Sequence, residues 1–143
     1  MRSEDDRQAV VDGLMDGTLD CIATDHAPHT VEEKEQDLFQ APFGMIGLES
    51  AFGMAHTILR EAGLSTEQVL DLLTTGPARV MGLELTPLEP GQPAELVVLA
   101  PDEEWTFTRE DIHSRSRNTP LLGMTFTGRV RATISRGSWF TSR

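Results

Sequence analysis

Apolar positions recur at helical spacing close to the start of the chain. Ala9, Val10, Val11 and Leu14 follow Ser3, and Gly17 supplies a stop. Asp6 lies three residues after Ser3, the spacing of a capping box with Asp in place of the usual Glu or Gln. Residues 19–24, "LDCIAT", form a short β-prone run between "DGT" and a His/Pro cluster, and predict a buried strand. Residues 26–44, punctuated by Pro28, Pro42 and Gly44, predict a long loop of the kind that carries function or moves. From Gly47 the period returns to helical: Leu48, Ala51, Phe52, Ala55, Ile58, Leu59 and Ala62 share one face, and Gly63 ends it. "STEQVLDLL" opens a further helix with Ser65 and Gln68 in capping-box positions. In "TGPARVMGL", Pro77 suits the first helical position and Gly82 the end of a short helix. Beyond Thr86 the pattern predicts strands at 95–99, 105–108, 124–135 and 138–141, divided by Pro-Gly, Asn-Thr-Pro and Arg-Gly turns.

This order is helix, strand, loop, three helices and a small β region. A strand buried on both faces needs neighbours on both sides, and the pattern supplies none for 19–24. The chain therefore reads as the end of a larger α/β unit.

Composition narrows the partners. The 143 residues hold 38% hydrophobic and 24% charged side chains, a globular mixture rather than a disordered one. A formal charge of −11 argues against a nucleic-acid or anionic-membrane surface, because phosphate binding relies on Lys and Arg. The acidic runs at 4–6, 32–33 and 102–104 read as solvated faces. The single cysteine, Cys21, cannot make an internal disulfide and reads as a small buried filler, which leads to the expectation of a cytoplasmic protein. No stretch is long and apolar enough to span a membrane, and "MRSEDD" is no signal peptide.

The chemistry concentrates at the end of the predicted strand, where Asp25, His26 and His29 fall within five residues. Carboxylates and imidazoles at the C-terminal ends of parallel strands are where α/β barrels keep their reacting groups. A carboxylate there can bind zinc and can shuttle a proton. Spacing alone also accommodates a plainer role, with Asp25 capping a turn and the histidines facing water. The three residues lack the spacing of a complete zinc site.

"IATDHAPHTVEEKE", followed by "APFGMIGLESAF", "LLTTGPARVMGL", "EPGQPAELVVLAP", "RSRNTPLLGMTFTGRV" and "RGSWF", resembles the C-terminal portion of bacterial dihydroorotases, in the cyclic amidohydrolase superfamily. The resemblance covers essentially the whole chain, in order. It implies a (β/α)8 TIM-type barrel followed by strands of a small β-sandwich domain. Residues 1–85 would be the C-terminal part of the barrel and residues 86–143 the C-terminal share of the small domain. It implies zinc-dependent, reversible hydrolysis of dihydroorotate to N-carbamoyl-L-aspartate in pyrimidine biosynthesis, with a binuclear zinc centre. By the same resemblance Asp25 is a metal ligand and the catalytic proton shuttle. His29, Phe43 and Gly44 are substrate-binding. Read from their surroundings, His26 supports the strand end, His56, on an otherwise apolar helix face, is a packing residue, and His113, beside strand-like segments, is structural or exposed; neither His56 nor His113 maps to a metal ligand of the family. Glu95 departs from the Asp that often precedes the "LVV" run, far from the site.

The resemblance also exposes what is absent. The family's early His-x-His pair, its bridging carboxylate or carboxylated lysine, and two further histidines have no counterpart among the four histidines present. One ligand, Asp25, makes a poor zinc site. The first reading is therefore an enzyme fragment, inactive alone and completed by the missing N-terminal part of the barrel in cis or in trans. Such an enzyme is expected to bind the small-molecule substrate, and a homodimer or association with aspartate carbamoyltransferase is conceivable. No nucleic-acid or membrane partner is expected. The second reading is a non-catalytic interaction or scaffold protein of the same fold; a related hydantoinase or allantoinase is the third.

Overall fold

The computed structural model describes residues 3–141. Its first helix, α1 (Glu4–Met15), is opened by Ser3, whose side chain accepts from the Asp6 N–H while the Asp6 carboxylate accepts from the Ser3 N–H. Two of the four orphan donors at that terminus are satisfied this way. The long loop contains one short helix, α2 (Val31–Lys34), capped by the same reciprocal device between Thr30 and Glu33. Helix α3 (Ala51–Glu61) starts four residues later than the pattern from Gly47 predicts, and Ser50 caps it without a side-chain bond. Helix α4 (Thr66–Leu73) carries the Ser65–Gln68 box as expected. Helix α5 (Thr75–Met81) places Pro77 third rather than first, still within the turn whose N–H groups have no helical partner, and ends at Gly82 with φ +64°.

Three antiparallel strands follow, in the order β1 (Leu96–Thr106), β2 (Thr125–Ser135) and β3 (Ser138–Thr141). The separate strands expected at 95–99 and 105–108 are one strand. Register shifts after Val98 and after Ala100 absorb the Pro101 and acidic residues that suggested a break. Strands β2 and β3 meet at Arg136 and Gly137, both with positive φ, the conformation of a two-residue hairpin turn.

The largest difference from expectation is at 19–24. This stretch pairs with no strand among the described residues, and its side chains are half-buried or exposed rather than buried. Cys21 is likewise only partly covered. A strand is defined by the ladder beside it, and the sequence here supplies no neighbour. Among the described residues, the one trace of parallel pairing is an isolated bridge between His26 and Met45. The stretch is instead held by backbone bonds to helices, where Leu19 N–H donates to the Gly13 carbonyl at 2.8 Å and Ile22 N–H to the Leu72 carbonyl at 2.9 Å.

Burial is concentrated in two clusters. Ile46, Trp105, Phe107, Ile112, Leu121 and Phe126 form one between the sheet and the segments beside it. Val11, Ala55, Leu59, Leu64 and Val69 form the other, among the helices. Helix α3 joins them. His56, 2% exposed, donates from Nδ1 to the Thr127 carbonyl at 2.9 Å, and its Nε2 accepts from Thr66 Oγ1 at 3.0 Å. His56 is thus a fully partnered packing residue, as the apolar face around it suggested. Gly128 is required beneath it: its φ is +98°, and a Cβ there would lie 2.7 Å from His56 Nδ1. Ile46 carries the far end of the 26–44 loop into the first cluster, so the candidate site is anchored to the core at one end.

Candidate functional site

Asp25 ends the extended stretch with φ +44°, in the left-handed region where Asp is tolerated better than most residues. Its side chain is exposed and makes no hydrogen bond or ion pair among the described residues. The residue after it is tied down from three directions. His26 Nδ1 accepts from the peptide N–H groups of Gly47 at 3.1 Å and Leu48 at 3.3 Å. A nitrogen that accepts carries no proton, so the neutral ring holds its hydrogen on Nε2. That N–H faces Ser114 Oγ at 3.3 Å, and the Ser114 hydroxyl donates to Glu49 Oε1 at 2.5 Å.

Glu49 Oε1 also accepts from the peptide N–H groups of Ser114 at 2.7 Å and His113 at 3.1 Å. Its other oxygen, Oε2, is buried without a partner. Burial alone would raise the carboxyl pKa, but the Ser114 hydroxyl and peptide bonds outweigh it and hold Glu49 below the ordinary carboxylate value. The result is a polar chain from Glu49 through Ser114 to His26, the neighbour of Asp25. His113 contributes its backbone and leaves its ring exposed.

The other three predicted site residues are brought together. His29 Nε2 donates to the Phe43 carbonyl at 2.9 Å, and its Nδ1 lies 3.4 Å from Glu33 Oε2. Glu33 sits below the ordinary carboxylate value chiefly because it accepts from the Thr30 N–H, with His29 adding to the effect. Gly44 has φ +109°, and a Cβ on it would fall 2.6 Å from the Ala27 Cβ, so only glycine lets the two arms of the loop approach this closely. Lys34 Nζ closes the arms further, donating to the Pro42 carbonyl at 2.9 Å and the Gly44 carbonyl at 3.0 Å. The Phe43 ring is 95% exposed and packs against nothing that would make it a structural plug.

Sequence reasoning missed the residues that hold this arrangement. Asn118 Nδ2 donates to the Ala27 carbonyl at 2.9 Å and the Gly44 carbonyl at 3.2 Å, and its Oδ1 accepts from the His29 N–H at 3.2 Å. Ser116 Oγ bonds the His29 carbonyl and Asn118 Oδ1. Their partners in the 26–44 loop are 74 to 91 residues away in sequence, beyond any local pattern. The Thr30–Glu33 box was missed as well, although the T-x-x-E of "TVEE" carries its signal.

Among the described residues, no group of three or more His, Cys, Asp or Glu side chains could hold a metal ion. Zinc sites use three or four protein ligands, and one exposed carboxylate does not supply them. The residues present do not by themselves fit a zinc centre.

An α/β chain whose loop chemistry sits at the end of an extended segment, followed by a small antiparallel sheet, defines a class. The amidohydrolase family model matches residues 1–140, and the chain belongs to the amidohydrolase family. A dihydroorotase from Chlorobaculum tepidum is 46% identical over 131 residues, 91% of this chain and 30% of that protein. One from Bacillus subtilis is 41% identical over 138 residues, 96% of this chain and 32% of the relative. Among solved structures, an L-hydantoinase (dihydropyrimidinase) from Arthrobacter aurescens superposes with a TM-score of 0.85 at 28% identity, covering 98% of this chain and 32% of that one. The chain spans about a third of the length of the curated relatives it matches.

Proposed function

We propose that this chain acts as the C-terminal part of a dihydroorotase, supplying the substrate-side loop of a (β/α)8 barrel whose other strands lie in the remaining two-thirds of the relatives' length. The observation that carries the reading is the clasp of His29, Phe43 and Gly44 beyond Asp25, in a chain 46% identical to a dihydroorotase over 131 residues. Residues 1–85 would belong to the barrel and 86–143 to the small β domain, divided in the exposed stretch 81–95. Cytoplasmic pyrimidine biosynthesis and a zinc centre belong to the same reading, with Asp25 as one ligand and the others from outside these 143 residues.

The reaction adds water to a ring amide carbonyl and breaks the carbonyl–nitrogen bond. The released nitrogen then needs a proton. An exposed carboxylate at Asp25, free of competing bonds within the described chain, is suited to carry it. His29 serves the substrate carboxylate through its ring N–H. In the structure Nε2 is engaged by the Phe43 carbonyl and Nδ1 faces Glu33, so a bound carboxylate competes with both. Gly44 lets the ligand approach the backbone because no side chain projects there.

The test is reconstitution. The chain is mixed with the first two-thirds of the Chlorobaculum tepidum relative, and N-carbamoyl-aspartate formed from dihydroorotate is measured with zinc present. Ring opening that needs both pieces and is lost in Asp25→Asn is expected. Opening of hydantoin in preference to dihydroorotate would move the assignment to the hydantoinases. No opening of either ring by a stable complex would favour a non-catalytic partner.

A further inference from the structure

Residues 113–118, "HSRSRN", alternate in exposure: His113, Arg115 and Arg117 face solvent, whereas Ser114, Ser116 and Asn118 are partly buried. All three inward residues bond to the candidate site. Ser114 reaches His26, Ser116 the His29 carbonyl, and Asn118 both arms of the loop.

We infer that Asn118 is a positioning residue that sets the spacing of His29 and Gly44, and so the affinity for the substrate carboxylate. The inference rests on the reading of these two as substrate contacts. The amide uses both of its ends. Oδ1 accepts from the His29 peptide N–H, a group that can only donate, which fixes the orientation of the amide. Nδ2 then donates to the carbonyls of Ala27 and Gly44, on opposite arms of the loop. Its own carbonyl accepts from Ile46 N–H at 3.1 Å, tying the amide to the residue that enters the core.

No apolar burial does this job in its place. Phe39 is 99% and Phe43 95% exposed, so neither aromatic ring of the loop closes its arms. The chemistry required is specific. Aspartate keeps the acceptor for His29 N–H but sets a carboxylate oxygen against the carbonyls of Ala27 and Gly44. Alanine removes both ends.

The test compares Asn118→Asp and Asn118→Ala in the reconstituted enzyme and, in parallel, amide hydrogen exchange at His29 in the chain itself. KM for dihydroorotate should rise about tenfold in both variants while kcat stays within about threefold, the pattern of lost uniform binding. Exchange at the His29 N–H should accelerate in Asn118→Ala and stay slow in Asn118→Asp, which retains its acceptor. A purely structural role would lower kcat and the melting temperature together, or leave KM unchanged, and either result overturns the inference. If unmodified chain gives no ring opening at all, the proposed function fails first. Exchange at His29 then still decides: acceleration confined to Asn118→Ala keeps the clasp, and equal exchange in both variants removes it.

Discussion

Phe126 and Phe43 each lie within two residues of a glycine with positive φ, yet Phe126 is 2% exposed and Phe43 95%. Phe126 sits among Trp105 and Phe107, with ring centroids 5.7 and 6.2 Å away, and the Trp105 indole N–H donates to the Gly128 carbonyl at 2.9 Å. The region of β1, β2 and α3 is held by area removed from water, which is large and non-directional. The region of 25–44, anchored to the core only beyond it at Ile46, is held by Lys34, Asn118, Ser116 and the Glu49–Ser114–His26 chain, bonds individually modest in net energy but directional. The difference is one of purpose. Burial makes a base, and directed polar bonds place the loop groups on it with Asp25 and the Phe43 ring left exposed.

The comparison is broken most severely from the buried side. Phe126→Ala should cost about 3–5 kcal/mol, the range for deleting a buried aromatic ring. Thermal or urea unfolding followed by circular dichroism measures it. A loss below about 1 kcal/mol would mean that the aromatic cluster is not the stabilising centre.

His56→Leu probes the junction between helix and sheet. It keeps an apolar side chain in the slot but leaves the Thr127 carbonyl and Thr66 hydroxyl without the ring. The expected cost is about 1–3 kcal/mol, the penalty of a buried group left unpaired. Thr57 does not replace the ring, since its one hydroxyl proton goes to the Gly53 carbonyl at 2.7 Å and the Thr127 carbonyl lies 3.4 Å away.

The same division explains what could be read in advance. Capping boxes at Ser3 and Ser65, the Gly82 stop and the α3 face are local features, written within a few residues of one another. The resemblance to dihydroorotases points to His29, Phe43 and Gly44, and the structure sets the three side by side. Residues 19–24 have the composition of a strand, but pairing is a property of two segments, and one segment cannot reveal whether its partner is there. Asn118, Ser114 and Glu49 were invisible for the same reason. Their partners lie on other segments, and a lone Asn in "RSRNTP" looks like turn chemistry.

Acid sharpens the comparison, because it acts on polar placement and leaves burial alone. Glu49 has a folded pKa below its ordinary value of 4.5, so its contribution is complete above that value and is lost as pH falls through the lower folded one. The unfolded chain takes up its proton first, so stability declines on acidification within that window. Glu33, Glu67 and Glu95 are shifted the same way and share the decline. Glu49→Gln should therefore flatten the acid limb of the stability curve without removing it. A curve parallel to that of the unmodified chain below pH 4.5 would show that Glu49 carries no pH-linked stability.

The smallest expected effect is at the loop tip. Leu38 and Phe39 are 84% and 99% exposed, apolar side chains that gain nothing from burial within the described chain. Phe39→Ser should change stability by no more than about 0.5 kcal/mol, as for surface positions without partners. If 25–44 is placed by polar bonds, removing this ring leaves the Lys34 and Asn118 contacts intact, and exchange at the His29 N–H stays slow. A melting temperature lowered as far as in His56→Leu would instead mean that the ring holds the loop through apolar contact. The two regions would then differ in degree of burial and not in the kind of force that holds them.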